Sequence, residues 1–144
     1  MSERPVWWQA VEAAVGAPLA VDAVGGGEAV IDVAAERLLA TVSALRQAWP
    51  ALHLTAITGL SIGGEVVLLY HLLLDGGLTL RVRCPGAPPN APSLAPSWPA
   101  ANWYEREAHD LLGVAFKGHP NLAPLLVARD WTGGPPLLPV EGER

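Results

Sequence analysis

Cysteine occurs once, at Cys84. A single thiol excludes an internal disulfide and an iron–sulfur site held by this chain's cysteines alone. It suits a cytoplasmic setting. Lysine and arginine total 9 against 14 aspartates and glutamates, with no basic cluster, so neither nucleic acid nor an anionic membrane is expected as a direct partner. Long apolar runs are also lacking. The longest, residues 66–74, is interrupted by His71 and falls far short of the ~20 residues that a membrane helix needs. No secretory signal is visible, because Glu3 comes at once and the early apolar runs are broken. Only 16% of the 144 residues are charged while 51% are hydrophobic. That is a surface poor in charge for a free monomer, and it points to burial against partners.

What remains is enough for one domain with its own core. Ser2 can cap a first helix, with Pro5 in its first turn and Trp7, Trp8, Val11 and Val15 on one face; Gly16 and Pro18 end it. Residues 19–24 suit a short strand. Gly25-Gly26-Gly27 is a turn without the further glycines and lysine of a phosphate loop. Asp32 can cap a second helix running to about Trp49, with Leu38, Val42, Leu45 and Trp49 inward, Arg46 outward, and Pro50 as its stop. Three strands follow, at 52–58, 65–74 and 78–84. Asp75-Gly76-Gly77 joins the last two as a hairpin turn suited to positive backbone angles. Leu78, Leu80, Val82 and Cys84 alternate with Thr79, Arg81 and Arg83, which predicts a sheet with one face on the core.

Residues 85–99 hold six prolines and cannot form a central strand. They read as an extended, stiff crossing. Beyond it Asn102 can cap a short helix, with Glu105 reaching back as in a capping box. Arg106 with Asp110, and Glu105 with His109, are spaced to meet along the helix surface. Tyr104, Ala108 and Leu111 form the apolar face, and Gly113 is the natural stop.

This stretch carries a resemblance. Glu105-Arg106-Glu107, Asp110-Leu111-Leu112-Gly113, Phe116 and Gly118-His119-Pro120 resemble the signature of the C subunit of respiratory complex I, the NADH:quinone oxidoreductase. That family includes the matching subunit of energy-converting nickel-iron hydrogenases. The lead-in through Trp98, Pro99, Asn102, Trp103 and Tyr104 and the trailing Asp130-Trp131 fit the same pattern, and the likeness runs from about Leu54 onward. It implies a non-catalytic subunit in the hydrophilic arm of a complex-I-like oxidoreductase, packed on the hydrogenase-like large subunit beside iron–sulfur subunits. It implies no cofactor in this chain, and attachment to the cytoplasmic face of the membrane only through the complex. Two departures stand out: Ala123-Pro124 replaces a basic pair, and Leu137-Leu138-Pro139-Val140-Glu141 replaces a basic, aromatic segment. These lean toward the hydrogenase or formate hydrogenlyase branch.

Other chemistry competes on thinner grounds. Gly59-Leu60-Ser61-Ile62-Gly63 matches a hydrolase nucleophile elbow, with Asp110 and His119 following in order, but an elbow needs a helix after it and residues 65–74 read as a strand. His53, His71, His109 and His119 are scattered without metal-ligand spacing. Glu105, Glu107 and Asp110 admit three readings: an acid–base set, a solvated helix face, or a recognition face centred on Arg106, which the resemblance favours. The six tryptophans read as core or interface anchors, with Trp7, Trp8, Trp98, Trp103 and Trp131 as interface candidates.

The expected architecture is α+β: a small mixed or antiparallel sheet with two helices on one face, a proline-rich crossing and a C-terminal docking extension. Residues 1–84 form the core, 85–101 the crossing, 102–131 the signature helix and docking loop, and 132–144 a mobile tail. The residues expected at the subunit interface are Trp103, Tyr104, Glu105, Arg106, Glu107, Asp110, Gly113, Phe116, Gly118, His119, Pro120 and Trp131.

Overall fold

A computed structural model describes residues 4–16 and 27–138, and residues 20–25 as backbone. The first helix, α1 (Trp8–Val15), buries Trp8 and Val11. It starts later than its apolar spacing predicts. The Trp8 amide bonds the Pro5 carbonyl at 2.9 Å, so Pro5 sits ahead of the helix; Ser2 and Pro18 lie outside the described residues. Gly16 ends it with φ +87°, a conformation that costs glycine little.

Strands β1 (Ala20–Gly25) and β2 (Glu28–Asp32) form an antiparallel hairpin. β2 departs from the sequence expectation, in which Asp32 caps a helix. Instead Asp32 ends a strand and accepts two hydrogen bonds from Arg81, from Nε at 2.6 Å and from Nη2 at 2.8 Å. Occupied in this way, it is not the cap of α2 (Leu38–Ala48), which follows a 3-10 turn at Ala35–Arg37 and has no side-chain cap. Leu38, Val42 and Leu45 are buried as predicted. Arg46, placed outward by the pattern, lies over the Trp98 ring, 4.8 Å from its centre, and donates to the Ser97 carbonyl.

The three predicted strands are β3 (His53–Ile62), β4 (Glu65–Leu73) and β5 (Gly77–Cys84). The five-stranded sheet has the order β1-β2-β5-β4-β3. Within it only β2 and β5 run parallel, so the sheet is mixed, as expected. Gly63 and Gly64 make the β3–β4 turn with φ of +58° and +85°. The hairpin at Asp75-Gly76-Gly77 is present, but for a different reason from the one predicted. Neither glycine has positive φ. Gly76 is needed for space: a Cβ there would overlap the Gly27 carbonyl and the Trp7 indole.

Leu78, Leu80 and Val82 of β5 are fully buried with Ile31, Leu68 and Tyr70 from the neighbouring strands, and this face of the sheet carries the core under the helices. The other face is open, with His71 between the hydroxyls of Thr58 and Thr79. The proline-rich stretch is not a simple extended crossing. It buries Ala91, Ser93, Leu94 and Trp98, because small and apolar residues between the prolines find a place on the core. Within it β6 (Asn90–Pro92) pairs in parallel with β7 (Ala115–Lys117). The signature helix α3 (Asn102–Leu112) lies between these two short strands in sequence and packs on β3. Of the tail expected to be mobile, Pro135, Leu137 and Leu138 lie against the end of α3, where the Leu137 amide bonds the Leu111 carbonyl at 2.9 Å.

Candidate functional site

The charged residues of α3 go to different places from those their spacing suggests. Asn102 is the first helical residue and not a cap; Ala101 precedes it, and no side chain caps the helix. A 3-10 turn at Pro99–Ala101 leads straight in, so the first turn is held by backbone. The Asn102 Oδ1 atom is buried without a partner. Glu105 does not reach back along its own helix. It is fully buried and binds the crossing: Oε2 accepts from Ser93 Oγ and Oε1 from the Leu94 amide, both at 2.6 Å. The Ser93 hydroxyl in turn accepts from the Ala95 amide at 3.1 Å. Burial raises the Glu105 carboxyl to about 7, against the lowering pull of these hydrogen bonds.

His119, with its side chain also buried, places Nε2 3.9 Å from Glu105 Oε2. Its Nδ1 accepts the Asn121 amide at 2.9 Å, so the proton sits on Nε2, which donates to the Asn102 carbonyl at 3.3 Å. In this tautomer the ring is neutral, and its approach to Glu105 is a packing contact and not an ion pair. The Tyr70 hydroxyl is buried without a partner. Burial first, then the charges of Glu105 and Cys84, push its pKa well up.

Arg106 and Asp110 do not pair. Arg106 donates to the carbonyls of Ala123 and Pro124, both at 3.0 Å. Asp110 Oδ2 accepts the amides of Leu125 and Leu126 at 2.7 Å and of Val127 at 3.4 Å. Burial alone would raise the Asp110 pKa, but those amides, with His109, bring it below the usual value. Five successive residues, 123–127, are thus held by two side chains one helical turn apart. His109 turns to the Val114 carbonyl at 2.8 Å and not to Glu105. Gly113 takes the left-handed conformation as predicted, φ +71°, with Pro135 against it. Phe116 is buried on β7, and Gly118 turns the chain at φ +86° before His119-Pro120.

Four site residues point elsewhere. Tyr104 donates to the Thr55 carbonyl at 2.8 Å. Trp103 is 67% exposed. Glu107 is exposed and makes no hydrogen bond or ion pair among the described residues. Trp131 is half exposed and bonds the Gly134 carbonyl. The three carboxylates of α3 therefore diverge and do not form an acid–base set. Ser61 lies inside β3 and is followed by a turn and another strand, so no nucleophile elbow is built. No three His, Cys, Asp or Glu residues converge on a metal position among the described residues. Sequence pattern alone misses Ser93 and Tyr70. Ser93 lies inside a stretch that reads as linker, and Tyr70 inside an ordinary buried strand.

A buried acid tying helix to crossing, and a helix gripping the loop after it, define a small α+β domain built to hold its C-terminal segments in place. Solved structures share the fold. A trypsin-resistant fragment of Nqo5 superposes with a TM-score of 0.68 at 26% identity, covering 79% of this chain and 97% of that one. A chain of an archaeal respiratory membrane complex, the membrane-bound sulfane sulfur reductase, superposes at 0.65 with 22% identity, covering 78% and 69%. The family model described as respiratory-chain NADH dehydrogenase, 30 Kd subunit, matches residues 31–139.

The chain belongs to that family. It is 37% identical over 108 residues to the C subunit of NADH-quinone oxidoreductase from Moorella thermoacetica, covering 72% of this chain and 73% of that protein. Against the corresponding C subunit from Citrifermentans bemidjiense it is 34% identical over 115 residues, covering 76% and 71%. The C/D subunit of the Gluconacetobacter diazotrophicus enzyme is 38% identical over 135 residues, covering 83% of this chain, which spans only 22% of that protein's length. Among the described residues, no helix is long and apolar enough to cross a membrane.

Proposed function

We propose that this chain is a non-catalytic subunit of a complex-I-like NADH:quinone oxidoreductase, packed on the hydrogenase-like large subunit next to subunits that carry iron–sulfur clusters. Membership of the 30 Kd family supports the complex. One observation carries the docking role. Glu105, Arg106 and Asp110 of the signature are spent inside the chain on fixing residues 93–95 and 123–127, while Trp103, Leu126, Trp131 and Leu137 stay exposed on or beside the elements so fixed. Rigid loops that present large apolar side chains beside few charges are what an obligate interface requires. No catalytic group of its own is assigned, and no cofactor. The chain meets a membrane only through its partners, on the cytoplasmic side.

A second reading is the equivalent subunit of a membrane-bound hydrogenase or formate hydrogenlyase. The missing basic pair at Ala123-Pro124 motivates it. Yet Arg106 reads only the carbonyls at those two positions, so this contact survives the change of side chain. Native isolation of the complex, with partners identified by mass spectrometry, tests both readings. NADH-oxidising partners support the first and a nickel-iron catalytic subunit the second. A chain recovered alone under mild conditions overturns both.

A further inference from the structure

β3 is the last strand of the sheet on its side. It is ten residues long, and its sequence His-Leu-Thr-Ala-Ile-Thr-Gly-Leu-Ser-Ile has no proline, no lysine or arginine and no acid. Such an edge is a template for another strand, and proteins that leave one in water blunt it with charge, proline or a bulge. Here the blunting stops at one end. The β3–β4 register shifts between Leu54 and Ala56, and Tyr104 covers the carbonyl of the intervening Thr55. From residue 56 to 62, no backbone group bonds outside the β3–β4 ladder among the described residues.

Between residues 56–59 of this edge and α3 runs a groove of about 220 Å³, lined also by Tyr104, Ala108, Leu111, Leu112 and Leu137. Its only charged wall residue is Glu107, which has no partner among the described residues. Trp103, four residues earlier on the same helix face, stands exposed beside it. An apolar floor, a free strand edge and one unpaired acid match an extended segment that alternates apolar residues with a basic one.

We propose that this groove receives an extended, basic segment of a neighbouring subunit, which adds to β3 as a sixth strand and pairs a lysine or arginine with Glu107. The proposal rests on the subunit reading above and names the contact. A second copy of this chain fits less well. A two-fold pairing of β3 edges brings each patch against itself and sets two Glu107 carboxylates along one seam.

The test uses the native complex and the full chain. Hydrogen exchange over residues 56–62 is expected to be fast at the outward amides of the isolated chain and at least tenfold slower in the complex. Carbodiimide coupling is expected to join Glu107 to a partner lysine. Glu107→Lys is expected to lower recovery of assembled complex by about tenfold, from like charges brought together, with Glu107→Gln between it and wild type. All three isolated chains should melt alike, because the Glu107 carboxylate bonds nothing. If the complex assembles with Glu107→Lys as with wild type, or residues 56–62 exchange equally fast in both states, the groove is not the contact and the subunit reading stands. If no complex is recovered even with the wild-type chain, the subunit reading itself fails. Protection that appears in the isolated chain together with dimer in sedimentation assigns the edge to a second copy and overturns the proposal.

Discussion

Arg106 and Asp110 share no hydrogen bond or ion pair, yet they hold the same loop from its two polarities. The arginine takes its carbonyls at Ala123 and Pro124, and the aspartate its amides at 125–127. Opposite charges four apart on a helix usually relieve each other at the surface. Here each finds more donors or acceptors in a backbone segment than in the other.

That division predicts unequal costs. Asp110→Ala strips a charged acceptor from three amides and is expected to cost roughly 1–3 kcal/mol. Arg106→Ala leaves two carbonyls that water can reach and is expected to cost about 1 kcal/mol or less. Urea unfolding of both, with the exposed Arg129→Ala as the neutral reference, checks the order. In limited proteolysis, cleavage within 121–131 should rise more for Asp110→Ala than for Arg106→Ala. Equal unfolding midpoints for these two variants contradict the clamp.

Glu105 predicts a pH dependence with a definite sign. Its folded pKa is raised from 4.5 to about 7, so folding favours its neutral form. Stability is fully present below about pH 4.5 and is lost as pH rises toward 7. The full swing is on the order of 3 kcal/mol at 1.36 kcal/mol per unit. Glu105→Gln keeps a neutral group of the same shape and should flatten the profile between about pH 5 and 8. Asp110 adds a limb of opposite sign: its folded pKa is lowered from 3.8, so its contribution is present above that value and disappears as pH falls through the folded pKa. Thermal melts extended from about pH 8 down to about pH 2 read both limbs, and a Glu105→Gln variant as steep as wild type between about pH 5 and 8 excludes Glu105 as the cause.

Gly76→Ala separates space from backbone conformation. The φ of Gly76 is not positive, so a purely conformational view predicts little change. The Gly27 carbonyl and Trp7 ring leave no room for a methyl group, and a loss of about 1–3 kcal/mol is expected. Gly134→Ala, where a Cβ meets nothing within 4 Å, should stay within about 0.5 kcal/mol of wild type. Both are read by denaturant midpoint.

The purified chain should be colourless and inactive toward NADH. One cysteine does not make an iron–sulfur ligand set, and the sequence contains no dinucleotide fingerprint. Visible absorbance and an NADH assay decide it. Stoichiometric flavin or cluster in a homogeneous sample would overturn the non-catalytic reading.

What the sequence displays is local. The alternation of Leu78, Leu80 and Val82, the glycine stop at Gly113 and the hairpin around Gly76 depend on residues within one turn or one strand. β2 escapes because its five residues end in an aspartate that reads as a helix cap, while the strand that claims that aspartate, β5, lies far along the chain. Glu105 is misplaced for a related reason. Helical spacing offers it His109, while its actual partners lie in a stretch whose prolines read as linker. The signature itself is legible and leads to the right family. Its side-chain contacts are not, because a carboxylate's preference for backbone amides over a neighbouring arginine depends on which loop folds back onto it.

The Asp32–Arg81 pair spans 49 residues, and it sets a schedule for the growing chain. The β1–β2 hairpin leaves the ribosome well before the only other strand it joins. At roughly 5–20 residues per second, the wait is several seconds. During that interval β2 offers Ala29 and Ile31, both destined for the core, along an unpaired edge, and the apolar stripe of α2 emerges with no sheet to cover. The parallel pairing of β2 therefore waits until the residues of β5, Arg81 among them, have been made.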